Sequence, residues 1–452
     1  MNEVAARLVS ALAALVTLVA VFRWTAGVAG VATARRAVLV LATSLGFVSL
    51  GRYGSLDMLL TCWITIGCLS AERFLADPSR TAWLVGAAVA AALGMLTKGL
   101  VAPLFVAGIP LVHALLSGRP LPPFRAWMIA FSVFLLVAGP WYVTAGVLDP
   151  AYLRELFLQH HLARFTDSGS GFHPAPWWYY VPALALLLFP WSAVLPAALA
   201  VPSVRRETAL RFCLCWAGVV VVFFSCSHGK LATYALPAVP PLAIVIACAV
   251  RAIEQTPVAR RLAAIGLATL VVALALAAPV VLQLDRAPWE ALVAAGAPYL
   301  LLFPAAATLI ALAWWRRGLA GATSAIAACA AVGSVAFYAG GAQLVSQVAS
   351  EQRIANVITA HGEAPIVSYA VTPASLMFYV GRPVVRLDRP RALRQLLAEQ
   401  PFAWIVTTPR HVDAIGRAVP VYPWLTTGRR VLYATHPSGT VASSARPDHT
   451  RD

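Results

Sequence analysis

Residues 209–250 read ALRFCLCWAGVVVVFFSCSHGKLATYALPAVPPLAIVIACAV. Two apolar runs, about 209–226 and 233–250, approach the roughly 20 residues that a helix needs to cross a bilayer. A short polar link, Ser227-His228-Gly229-Lys230, separates them. The same pattern recurs outward in both directions, so the chain reads as a polytopic membrane protein. Composition agrees: 60% of its 452 residues are hydrophobic and 12% charged, against about 45–50% and 25% in soluble domains. An ordinary soluble protein, a disordered chain, collagen and a disulfide scaffold are all excluded.

Apolar length and breaks place twelve candidate helices at about 4–23, 36–50, 57–73, 80–97, 99–117, 126–147, 178–201, 209–226, 233–250, 259–284, 296–315 and 320–345. The formal charge of +16 fits loops held at a negative cytoplasmic face, and no nucleic-acid partner is expected. Alternate connections carry Arg23, Arg35 and Arg36, then Arg73 and Arg80, Arg119 and Arg125, Arg205, Arg206 and Arg211, Arg251, Arg260 and Arg261, and Arg316 and Arg317. The opposite set holds only Arg52, Lys98, Arg154, Arg164, Lys230 and Arg286, so the first set is expected in the cytoplasm. An even number of spans then puts both termini outside. A helix starting almost at Met1 on that side, with no export signal, predicts that a preceding helix is missing.

Seven cysteines, Cys62, Cys68, Cys213, Cys215, Cys226, Cys248 and Cys329, lie in or beside apolar spans as small hydrophobes, and neither a disulfide nor a cysteine metal site is expected. Residues 1–347 form the membrane core in this reading. Residues 348–436 form a small outer α/β domain, and 437–452 a disordered tail. Strands are expected at Ile366–Tyr369, Pro383–Leu387, Phe402–Thr408 and Arg429–Thr435, with helical stretches at Pro373–Tyr379, Pro390–Glu399 and Pro409–Gly416.

Nearly all the unusual polar residues fall in the outer connections. Asp57 opens the third span, where a carboxylate is costly unless paired or functional. The plain alternative is a helix N-cap at Ser55 or Asp57. Lys98 and Lys230 are the only lysines among 34 basic residues. Each could snorkel to the interface, yet a compact ammonium in a Gly turn suits a phosphate. The long outer loop, about 148–177, holds His160, His161, Arg164, Asp167 and His173. Its histidines lack a close ligand spacing, so no metal is expected. Arg164 can grip a phosphate bidentately.

Taken together, GRYGSLDMLLT (51–61), GMLTKG (94–99), PWYV (140–143), HHLARF (160–165), HPAPWWYYVPAL (173–184), LFPWS (188–192) and SHGKLATYALPAVPPLA (227–243) resemble the aminoarabinose transferases of lipid A. More broadly they resemble the bacterial relatives of protein O-mannosyltransferases. The resemblance runs from about residue 3 to 350, and the C-terminal α/β domain is also similar. It implies a GT-C membrane glycosyltransferase that moves a sugar from a polyprenyl phosphate to an envelope acceptor outside the inner membrane. By motif, Asp57 and Lys98 match essential active-site positions, while Arg164 and Tyr234 match positions near the lipid phosphate, with Lys230 beside them. Arg52, Tyr53, His161 and His173 are expected in the substrate pocket. No cofactor and no nucleotide are implied.

The family's general base is an aspartate in a first outer loop after a first helix. NEVAARLVSALAA matches just past it, so the chain as given is expected to lack the base and, with it, activity. Lipid A phosphate is the favoured acceptor, with another envelope glycan or a protein hydroxyl as runner-up. A non-catalytic paralogue and a twelve-helix secondary transporter are the rivals. A transporter's internal repeat is not visible.

Overall fold

The computed structural model describes residues 3–149, 151, 175–282, 299–343, 346, 350–362, 364–400, 402–427 and 430–436. The chain divides into two compact units, one of Met1–Ala275 with Pro304–Ser334, the other of Leu276–Phe303 with Val335–Asp452.

The first unit is helical. α1 (Glu3–Ala29), α2 (Val31–Ala42), α3 (Leu45–Arg52), α4 (Leu56–Ala76), α5 (Thr81–Lys98), α6 (Val101–Ser117) and α7 (Phe124–Leu148) are followed by Tyr180–Leu187, Leu195–Ala200, Thr208–Cys226, Val239–Gln255, Pro257–Leu282 and Leu302–Ala336. Among the described residues, 8 helices are long and apolar enough to cross a membrane, or up to 10 with the bent pairs Val31–Arg52 and Trp177–Ala200. The protein is a multi-pass membrane protein. The expected twelve arises from the same helices in two further steps. α6 is apolar but short, and Leu302–Ala336 is two helices meeting at Gly318 (φ 61°, ψ −152°).

The two bent segments lock each other. α2 and α3 meet at 66°, and Trp177–Leu187 meets Trp191–Ala200 at 115°. At the bends Trp191 Nε1 donates to Thr43 Oγ1 at 2.9 Å, and the Leu45 amide donates to the Phe189 carbonyl at 2.8 Å. Backbone groups freed by a bend inside lipid must find partners within the protein. Here the Phe189 carbonyl takes the freed Leu45 amide, the Trp191–Thr43 bond ties the two bends together, and α3 leads on to Gly51–Asp57 at the end of α5. Around this lock the core buries Trp216, Phe212, Tyr180 and Trp191.

The second unit contains a five-stranded sheet in the order β2-β1-β3-β5-β4, with β1 Ile366–Tyr369, β2 Val385–Leu387, β3 Trp404–Thr407, β4 Tyr422–Thr426 and β5 Val431–Ala434. β1 runs parallel to β2 and β3, while β5 is antiparallel to β3 and β4. The fully buried runs IVSY and WIVT form the centre, as parallel strands covered on both faces do. β4 was not expected. It holds Pro423 and a register shift at Pro423/Leu425, which only an edge strand tolerates. An amphipathic helix, Gln352–Ala360, likewise went unread and buries Ile354, Ala355 and Ile358 on the sheet. The expected tail falls outside the described residues.

Candidate active site

α4 and α5 are antiparallel neighbours joined by the tight turn 77–80, so the start of α4 and the end of α5 meet at one end of the unit. The turn is held by Asp77, whose carboxylate accepts from the Ser79 amide at 3.2 Å. Hydrogen bonding from Ser79, aided by Arg80, keeps the Asp77 carboxyl below the usual carboxylate range. At the far end, α5 stops at Lys98 because Gly99 takes φ 78°, ψ −152°, a conformation side chains other than Gly avoid.

Lys98 Nζ donates to Asp57 Oδ1 there. Lys98 in the last turn of one helix and Asp57 in the first turn of the other also each suit the local helix dipole. Both readings of Ser55 and Asp57 are reconciled by this geometry. Ser55 is the N-cap, its Oγ accepting from the Asp57 amide at 3.1 Å, which leaves the Asp57 carboxylate to its lysine. The Ser55 hydroxyl also donates to Asp57 Oδ2 at 3.3 Å. Tyr234 completes the group, with Lys98 Nζ 4.8 Å from its ring centroid, a cation–π distance. The pair is partly sheltered, with side-chain exposures of 29% for Lys98 and 15% for Asp57.

Two clamps hold these elements. Ser10 of α1 donates to the Ser55 carbonyl at 3.1 Å and accepts from the Ser55 amide at 3.0 Å, which fixes the turn leading into α4. Tyr142 of the PWYV segment donates its hydroxyl to the Met95 carbonyl at 3.1 Å, in the last turn of α5. Neither clamp was read from sequence, because a serine in an apolar helix and a tyrosine near a helix end carry no pattern of their own.

Lys230 is buried and turns back on its own loop, donating to the Ser227 carbonyl, four residues before Tyr234. Arg52 and Tyr53 are exposed at the same end, on the loop that carries Asp57. Arg164, His161 and His173 lie outside the described residues. The structure therefore places Lys98 against both Asp57 and Tyr234 and puts Arg52 and Tyr53 on the adjoining loop.

A second polar cluster, unread from sequence, sits toward the opposite ends of α4 and α6. Glu72 accepts from Arg119 Nη1 at 2.9 Å and lies 3.4 Å from His113 Nδ1, with both Glu72 and His113 buried. Its signal was available: an ionisable residue inside each of two apolar runs. Among the described residues no group of three or more His, Cys, Asp or Glu side chains is placed to hold a metal.

The model of the dolichyl-phosphate-mannose-protein mannosyltransferase family matches residues 1–143. The chain is 33% identical over 198 residues to an undecaprenyl phosphate-alpha-4-amino-4-deoxy-L-arabinose arabinosyl transferase of Pseudomonas aeruginosa, covering 43% of this chain and 36% of the relative. A transferase of the same name from Pectobacterium atrosepticum is 34% identical over 222 residues, 48% of this chain and 39% of its own. The match thus spans well under half of these relatives. Among solved structures, ArnT from Cupriavidus metallidurans bound to undecaprenyl phosphate superposes with a TM-score of 0.76 at 22% identity, over 96% of this chain and 84% of its own. The chain has the ArnT fold. The apo form of that ArnT gives 0.77 at 21% identity over 95% of this chain. The resemblance read in the sequence motifs is therefore shown at two levels, sequence similarity to the aminoarabinose transferases over residues in the chain and an ArnT fold over nearly all of it.

Proposed function

We propose that this chain is a membrane glycosyltransferase that moves a sugar from a polyprenyl-phosphate donor to an envelope acceptor, with lipid A phosphate as the acceptor. The observation that carries this reading is the Lys98 ammonium, sheltered at a helix end between the Asp57 carboxylate and the Tyr234 ring. The named relatives, which are arabinosyl transferases using undecaprenyl phosphate, support the donor class. Arg164 and Tyr234 would bind the donor phosphate, Lys230 would join them by turning out from the Ser227 carbonyl, and Arg52, Tyr53, His161 and His173 would line the substrate pocket. The site would face the periplasm, with the protein in the bacterial inner membrane.

In the reaction an acceptor oxygen attacks the anomeric carbon, the bond from that carbon to the donor phosphate oxygen breaks, and polyprenyl phosphate leaves with the electron pair. Lys98 is the catalytic residue of the pair: its ammonium offsets the charge growing on the departing phosphate. Asp57 is its positioning residue, since its carboxylate is already committed to Lys98 and the Ser55 hydroxyl. A hydroxyl acceptor would need a separate base, whereas an ionised phosphate acceptor would not. The similarity to the aminoarabinose transferases favours the lipid A phosphate over a protein or glycan hydroxyl.

The test is mass spectrometry of lipid A from cells with and without the gene, together with turnover of polyprenyl-phosphate sugars by the purified protein. A sugar-bearing lipid A that depends on the gene is expected. Modified protein or glycan with unchanged lipid A would transfer the proposal to the other acceptor class, and no sugar transfer to any of them would end it.

A further inference from the structure

The helices on either side of Gly318 fold back on each other. Gly318 reverses the chain at φ 61°, and Gly321 lets the arms close, since a Cβ there would lie 2.5 Å from the Ala313 carbonyl oxygen. A cavity of about 570 Å³ runs along this hairpin. Its walls are apolar, with Leu309, Leu312 and Ala313 on one arm and Ala320, Ala325 and Ala328 on the other. Arg316 and Arg317 line its closed end. Both are exposed, and among the described residues neither is in an ion pair. Trp315 beside them is 82% exposed. The Glu254 carboxylate stands near, its Oε1 3.6 Å from where a Cβ on Gly318 would be.

We infer that this hairpin groove binds an anionic phospholipid of the cytoplasmic leaflet, its phosphate on Arg316 and Arg317 and an acyl chain along the apolar walls. Three observations converge. The arginine-rich connections belong in the cytoplasm by the positive-inside rule, which puts the closed end of the groove at the inner leaflet. An exposed tryptophan next to the arginine pair marks headgroup depth, where indole rings settle. Adjacent guanidiniums grip phosphate oxygens bidentately, and basic pockets between membrane helices on this side take anionic headgroups. Glu254 weakens the pull on any phosphate alone, so the acyl chain in the groove is what makes a lipid the better ligand than inorganic phosphate. The inference is independent of the sugar-transfer reading, because the groove shares no residue with the Asp57, Lys98 and Tyr234 group.

Native mass spectrometry of the full chain, with phosphatidylglycerol and phosphatidylethanolamine as probes, tests it. Phosphatidylglycerol is expected to stay bound under activation that strips phosphatidylethanolamine. Arg316→Ala with Arg317→Ala should weaken it about thirtyfold, and Ala328→Leu should weaken it without any change of charge. Arg205→Ala with Arg206→Ala, an equal charge loss elsewhere, should leave it unchanged. Gel filtration and helical circular dichroism confirm that each variant is folded, and all the altered groove positions are exposed. Equal retention of the two lipids, equal loss from both arginine pairs, or full retention in Ala328→Leu would each overturn the inference. A dimer mass abolished by Ala328→Leu would assign the groove to a second copy of the chain and overturn it as well.

Discussion

Replacing Lys98 by Met removes the cation from the Asp57 carboxylate and the Tyr234 ring while keeping the apolar stem. An exposed ion pair contributes about 0.2–1 kcal/mol, and breaking a fully buried one costs about 3–5 kcal/mol. With 15% and 29% of the side chains exposed, the pair lies between these limits, so Lys98→Met should cost about 1–3 kcal/mol. The ring contact supplies about 0.5–2 kcal/mol of the same total. In the helical unit this lowers the thermal midpoint by about 2–5 °C. A thiol-reactive dye can follow it, because Cys62, Cys68 and Cys213 are buried free thiols that unfolding exposes. Asp57→Asn should cost a similar amount, and the double variant Asp57→Asn with Lys98→Met should fall no further than the worse single one, since the interaction is lost only once. Strictly additive losses would refute the pairing. In a sugar-transfer assay Lys98→Met should also cut kcat by about 10²–10³, and wild-type turnover would refute its role at the leaving phosphate while leaving the stability result standing.

Ser10→Ala removes both hydrogen bonds that hold the turn before Asp57, so it should slow transfer by about tenfold with little change in KM; unchanged kcat would mean the clamp is only structural. Tyr234→Leu removes the ring above Lys98 and should impair activity more than Tyr234→Phe, which keeps it; equal effects of the two would place the role on the hydroxyl. Arg119→Ala strands the buried Glu72 carboxylate and should destabilise by about 3–5 kcal/mol, whereas Arg119→Ala with Glu72→Gln should recover part of that in the same dye assay. Burial, with Asp388 and Asp413 nearby, pushes the Tyr369 and Tyr433 phenols up. Their neutral forms are favoured in the fold, so the stability they lend is intact below about pH 10 and is lost as the pH rises beyond it; phenolate absorbance should show late titration that Tyr369→Phe and Tyr433→Phe remove.

Much of the architecture was legible because membrane spans are set by local quantities. A run of about 20 apolar residues, a Gly or Pro break and an arginine are each visible one segment at a time, and the helices duly lie where those runs lie. The lysine signal was equally local: two lysines among so many arginines marked Lys98 and Lys230 before any contact was known. Asp57, too, was conspicuous as a carboxylate opening an apolar run. What tertiary structure decided was which of these groups meet. α4 and α5 turn back on each other, and the mutual lock of two bent segments aims Gly51–Asp57 at the end of α5, so Asp57 finds Lys98 at a separation of 41 residues. Lys230, with an equally distinctive sequence, folds onto the Ser227 carbonyl instead. The Ser10 clamp, the Glu72–His113–Arg119 cluster, the edge strand around Pro423 and the hairpin closed by Gly318 depend likewise on partners far along the chain. Burial periodicity and loop charge are properties of a segment, whereas hydrogen bonds, ion pairs and cavities are properties of two segments brought together, and only the folded chain specifies the second.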